Sequence, residues 1–126
     1  MKQKPVVQAR KIEFDLDLNG RITAVSPVVE QATGYKAEEL IGMPLAAIIH
    51  HEDLQLLRER WHLALTGEVG MCEIRLAGKY GEFRKVRTSS RPRFDNGRAI
   101  GLTEIMTDVG RLFNSLHPAA AGLGSA

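Results

Sequence analysis

The 126-residue chain is short of the residues that carry most protein chemistry. Its single cysteine, Cys72, excludes a disulfide within the chain and a zinc site of the cysteine type. Aromatic residues make up 6%, with one tryptophan. No apolar run approaches the roughly 18 residues that a membrane span needs. There is no Gly-rich phosphate cradle, and no Ser or Cys nucleophile has a His at motif spacing. Glu30, Glu38, Glu39 and Glu59 are scattered as on exposed helix faces. No catalytic residue is therefore assigned, and the domain is not expected to be an enzyme. The start, MKQKPVVQARK, is charged but lacks the apolar stretch of a signal peptide. The expected setting is soluble and cytoplasmic.

What is present describes one ordinary globular domain: 44% hydrophobic and 25% charged residues, with a formal net charge of +2. Basic residues crowd the segment 75–98, but acids interrupt them. A hairpin with solvated outer faces accounts for that pattern, so nucleic acid is not an expected partner.

Along the chain, Ile12, Phe14, Leu16 and Leu18 alternate with Glu13, Asp15 and Asp17, the period of a half-buried strand. Asn19-Gly20 predicts a two-residue hairpin turn with positive φ at both centres, and RITAV the return strand. Ser26-Pro27 predicts a helix start with Ser26 as cap, and Gly34 its end. Two short helical pieces, 36–40 and 44–49, flank Gly42. A long helix is predicted over about 51–66, with Glu52 and Asp53 in its first turn. Strands are predicted at 69–77, 82–94 and 98–108, separated by turns at 78–81 and 95–97. This order implies an α+β domain: a five-stranded antiparallel sheet with short helices and one long helix on one face. The segment 1–9 precedes the domain at 10–110, and 111–126 reads as an exit linker and flexible tail.

The pieces DLNGRI, ATGYKAEELIG, IIHHED, TGE, EIRLAGKYGEFRKV, DNGRAIG and TDV stand in the order found in PAS domains. The chain resembles that family over roughly residues 10 to 110. The resemblance implies a sensory and protein-interaction module within a sensor kinase, a cyclic-dinucleotide enzyme or a transcription regulator. It implies a pocket between helices and sheet that holds a small metabolite or nothing, a homodimer, and an adjacent output domain. Gly34 and Gly42 become breaks between short helices, with Tyr35 and Leu40 packed inward. Asp108 would mark the signal exit, followed here by Val109-Gly110 instead of the family's Ile-Thr. Leu112, Phe113 and Leu116 beyond it form either a truncated linker helix or a frayed end.

The family's cofactor signatures can be checked residue by residue. Flavin-binding members of the LOV type carry a reactive Cys in an Asn-Cys-Arg step after the Gly matched by Gly42. Here Met43-Pro44-Leu45-Ala46 follows, which excludes LOV photochemistry. The axial His position of the oxygen-sensing haem members falls on Leu56. His62 is read as a surface residue and His50-His51 as a helix entry. No cofactor and no metal are expected.

The resemblance assigns a pocket lining of Leu57, Arg60, Trp61, Ile74, Leu102, Glu104 and Met106. Met43 and Met71 join them if side chains alone fill the interior. Glu104 stands where many members have Gly, and two readings are open. It is a rim glutamate reaching solvent, or a pocket carboxylate that pairs with Arg60 or reads a ligand amine. The long helix carries Leu54, Leu57, Trp61 and Leu65 on its main stripe. Leu56 and Leu63 lie nearly opposite, which calls for cover by Val6 and Val7 or by a second subunit.

Overall fold

The computed structural model describes residues 11–109. The expectations for 1–9, for 111–126 and for cover by Val6 and Val7 lie outside the described residues. The elements run β1 (Lys11–Asp17), β2 (Ile22–Val25), α1 (Val29–Thr33), α2 (Ala37–Leu40), two 3-10 turns (Leu45–Ile48 and His51–Asp53), α3 (Leu54–Leu65), β3 (Met71–Ala77), β4 (Phe83–Asp95) and β5 (Arg98–Asp108). The strands form one five-stranded antiparallel sheet in the order β2-β1-β5-β4-β3. This is the α+β architecture expected from the sequence.

Strand alternation sets the inner face. On β1, Ile12, Phe14 and Leu16 are buried, and on β5 Leu102, Glu104 and Met106 are. Their register places Ile12 opposite Met106, Phe14 opposite Glu104 and Leu16 opposite Leu102. The α3 helix packs over β3, β4 and β5, and its buried side chains, Leu57 and Ala64, join one continuous core with the sheet and the short helices.

The two Asn-Gly steps fold differently. Asn96 and Gly97 both have positive φ, 53° and 79°, between the paired residues Asp95 and Arg98, a two-residue turn matched to strand twist. At the first hairpin only Gly20 is left-handed, and its N–H donates to Asp17 O at 3.0 Å. The expected two-residue turn is thus a longer one, closed by a Gly bulge. Asp17 Oδ1 selects it by accepting from the N–H of Asn19 and of Arg21.

Three further expectations are corrected. Ser26 does not cap α1: its Oγ accepts from Glu13 N–H at 2.9 Å, and the helix begins at Val29. Leu65 is 37% exposed because Ala64 and Leu57, rather than Leu65, meet the sheet. Met71 is 62% exposed and cannot fill the interior, since Cys72 and Ile74 take the inward positions of β3. Gly34 does end α1, in a left-handed cap with φ 85°.

Candidate functional site

The residues assigned to the pocket lining lie in the interior or at its edge. Leu57, Ile74, Leu102, Glu104 and Met106 are buried at 3% exposure or less, and Arg60 and Trp61 are half-buried. Two open hollows in the surface lie away from them. One runs along the outer side of α3 past Gln55, Glu59 and Leu63, and the other sits by the β4–β5 turn.

Glu104 is the centre of the arrangement. It is 0% exposed, which overturns the rim reading. Its Oε1 accepts from the indole Nε1–H of Trp61 at 2.9 Å and from Ser90 Oγ at 2.7 Å, while Thr88 Oγ1 donates to Oε2. Register explains the hydroxyls: Ser90 lies directly opposite Glu104, and Thr88 opposite Met106. Burial pushes the Glu104 carboxyl above its ordinary value, against the three hydrogen bonds that favour the charged form.

Arg60 is not the partner of Glu104. Both carboxylate oxygens are occupied by neutral donors, and no ion pair joins the two residues. The Arg60 guanidinium instead lies over Gly70, where a Cβ would stand 1.6 Å from Nη2, and its buried Nε has no hydrogen-bond partner. Cys72 sits nearby, its thiol pushed up to about 11, first by burial and then by Glu104.

Thr88 and Ser90 were missed by sequence reasoning. Their alternation with Val86 does place two hydroxyls on one strand face, but only the register shows that they meet a carboxylate.

At the helix entry, His50 Nδ1 accepts from Glu52 N–H, and its ring stacks on His51 and meets Phe83 at a tilt of 50°. Asp53 and Glu52 both engage Arg75. At the far end of β5, Arg84 Nη1 donates to Asp108 Oδ2 at 2.8 Å, tying the exit of the sheet to β4. His62 is exposed on α3.

A family model described as the PAS fold matches residues 22–106, most of the described structure. The chain belongs to the PAS family. PAS domains are sensory and regulatory modules of signalling proteins, and this one has α3 and the inner sheet face where the family resemblance places them.

Two curated relatives match shorter stretches. The white collar 2 protein of Neurospora crassa is 47% identical over 51 residues, 40% of this chain and 10% of that protein. A phytochrome of Picea abies is 32% identical over 53 residues, 42% of this chain and 5% of that protein. The chain thus spans a small part of each.

Among solved structures, the PAS domain of a Colwellia psychrerythraea protein superposes with a TM-score of 0.74 at 22% identity, covering 80% of this chain and 87% of that one. The N-terminal domain of a diguanylate cyclase with PAS/PAC sensor from Marinobacter aquaeolei gives 0.69 at 16% identity, covering 82% and 99%. PAS-B of Drosophila melanogaster Cycle, with bound ethylene glycol, gives 0.71 at 13% identity, covering 77% and 98%. At these identities the likeness is one of fold. Among the described residues no helix is long and apolar enough to cross a membrane.

Proposed function

We propose that this PAS domain is a cofactor-free regulatory module of a larger cytoplasmic signalling protein, with an interior closed by its own side chains. It couples α3 to the sheet and hands a signal past Asp108 to an adjacent output domain, as in a sensor kinase, a cyclic-dinucleotide enzyme or a transcription regulator. The observation that carries this reading is the full commitment of Glu104. Its oxygens are taken by Trp61, Thr88 and Ser90, and it lies between Leu102 and Met106 on β5 and opposite Phe14 on β1, all of them buried. A flavin or haem entering between α3 and β5 would have to displace those contacts and leave a buried charge unpaired. The domain itself performs no catalysis in this reading.

Self-association belongs to the same reading. Leu56, 41% exposed, offers α3 an apolar outer position for a second copy. A small-metabolite version is favoured by one observation, the partnerless Nε of Arg60. Absorption spectra and native mass of the purified chain decide between them. The expected result is the bare polypeptide mass, as monomer or dimer, with no Soret or flavin band. A cofactor band, or added mass lost on denaturation, would overturn the closed-core reading. Sedimentation of Leu56→Lys tests the contact: an unchanged profile removes α3 from the interface.

A further inference from the structure

The polar link between α3 and the sheet is narrow. Among the described residues, the bond from Trp61 to Glu104 is the one side-chain hydrogen bond from within Leu54–Leu65 to a strand. The helix entry has its own tie through Asp53 and Arg75.

Most of the side chains around Glu104 are apolar. The β1 strand presents Ile12, Phe14 and Leu16, and β5 itself presents Leu102 and Met106 on either side. From β4 come the two hydroxyls, and Cys72 of β3 lies opposite Thr88. The α3 helix adds Leu57, Ala64 and the cation Arg60. The Cys72 thiol, pushed up to about 11, stays neutral at neutral pH. Asp108, further along β5, is engaged by Arg84.

The three donors around the carboxylate are not equivalent. An indole N–H only donates, whereas a hydroxyl can turn from donor to acceptor. Thr88 stands alone on Oε2, while Trp61 and Ser90 share Oε1. A proton from solvent can therefore be held on Oε2, donated to Thr88 Oγ1, with Oε1 still accepting from Trp61. The site has room for both protonation states, but the bond to the helix differs between them. A charge-assisted bond is roughly twice as strong as a neutral one.

We propose that Glu104 is a proton-operated catch between the long helix and the central strand. As a carboxylate it holds Trp61 tightly, and on taking a proton at Oε2 it relaxes that hold and lets α3 ride more loosely on β5. The raised affinity of Glu104 for its proton, a result of burial, moves the changeover towards neutral pH. The catch lies on the strand that ends at Asp108, so a change in its grip acts on the exit of the domain. This inference rests on the closed-core reading in taking the partners of Glu104 to be its own side chains.

Trp61 is the single tryptophan, so its indole signal reports on the catch directly. The full chain is titrated downward from about pH 9 with the indole 1H–15N cross-peak and tryptophan emission as readouts, while far-UV circular dichroism monitors the fold. The expected result is a reversible indole shift, midpoint above the ordinary glutamate value, at constant circular dichroism. Glu104→Gln should abolish the shift and Cys72→Ser should leave it in place. No indole shift while the fold persists, or the same shift in Glu104→Gln, would overturn the proposal. Should Glu104→Gln fail to fold, the 13C carboxyl titration of Glu104 in the unaltered chain decides, and a midpoint at or below the ordinary value rejects the catch. A ligand found by native mass would sink the closed-core reading alone, because these titrations are scored by their own outcomes.

Discussion

Asp53 accepts three hydrogen bonds from Arg75: one from its backbone N–H at 2.7 Å, one from Nε at 3.0 Å and one from Nη2 at 2.9 Å. The carboxylate at the entry of α3 thus grips side chain and backbone of β3 at one residue. Its bond to the Arg75 side chain holds the Asp53 carboxyl below the ordinary aspartate range.

Stability should therefore depend on the Asp53 charge with a definite sign. A depressed folded value contributes stability that is present above the unfolded value and is lost as pH falls through the folded one. Asp53→Asn should melt below the unaltered chain at pH 7, and the gap should close as pH falls beneath the ordinary aspartate range. Melting curves from about pH 7 to pH 2 check this; a gap that stays constant throughout removes Asp53 from the acid response.

The β1 strand was legible because Ile12, Phe14 and Leu16 alternate with acids, and period two leaves one inward face. Leu18 continues that alternation yet is 56% exposed, since Asp17 has already turned the chain. Which residues share the interior was legible too, by strand parity and family resemblance. Which of them touch was not. Arg60 and Glu104 lie on the same side of the sheet, but a long side chain on a helix can reach several places. Gly70 leaves space over β3 for the Arg60 guanidinium, and Trp61 reaches Glu104 first. Such choices depend on register and helix rotation, which hydrophobic period does not resolve.

With no shared hydrogen-bond partner, Arg60 and Glu104 should behave as independent sites. A double-mutant cycle of Arg60→Met and Glu104→Gln should give a coupling below about 0.5 kcal/mol. Arg60→Met alone should be neutral or stabilising by up to about 1 kcal/mol, since it removes a buried donor without an acceptor and keeps the apolar stem. Thermal melts of the four proteins supply the numbers. A coupling above about 1 kcal/mol would mean that the two side chains meet after all.

Gly101 and Gly70 make a contrast in how a missing Cβ is used. At Gly101 a Cβ would stand 2.0 Å from the Leu16 carbonyl oxygen, and Arg93 Nη2 passes over the same glycine to reach Leu16 O at 2.8 Å. Backbone cannot step aside cheaply, so Gly101→Ala should destabilise by about 1–3 kcal/mol, as overpacking does. At Gly70 the obstacle is the far end of Arg60, which can swing towards solvent. Gly70→Ala should therefore cost clearly less in denaturant unfolding; equal losses at both positions would contradict the difference between backbone and side-chain obstacles.

The hairpin glycine Gly20 offers a way to move Trp61 without touching Glu104. It is buried with φ 82°, and an added Cβ would lie 3.2 Å from Trp61 Cζ3. Gly97 has nearly the same backbone, φ 79°, but open space around it. Alanine in either left-handed position should cost about 1–2 kcal/mol. Only at Gly20 must the indole also give way by a few tenths of an ångström, and that ring donates to the buried carboxylate. Both variants should therefore melt early, but tryptophan emission at neutral pH should change in Gly20→Ala and match the unaltered chain in Gly97→Ala. Emission unchanged in Gly20→Ala would mean that the first hairpin does not seat the Trp61 ring.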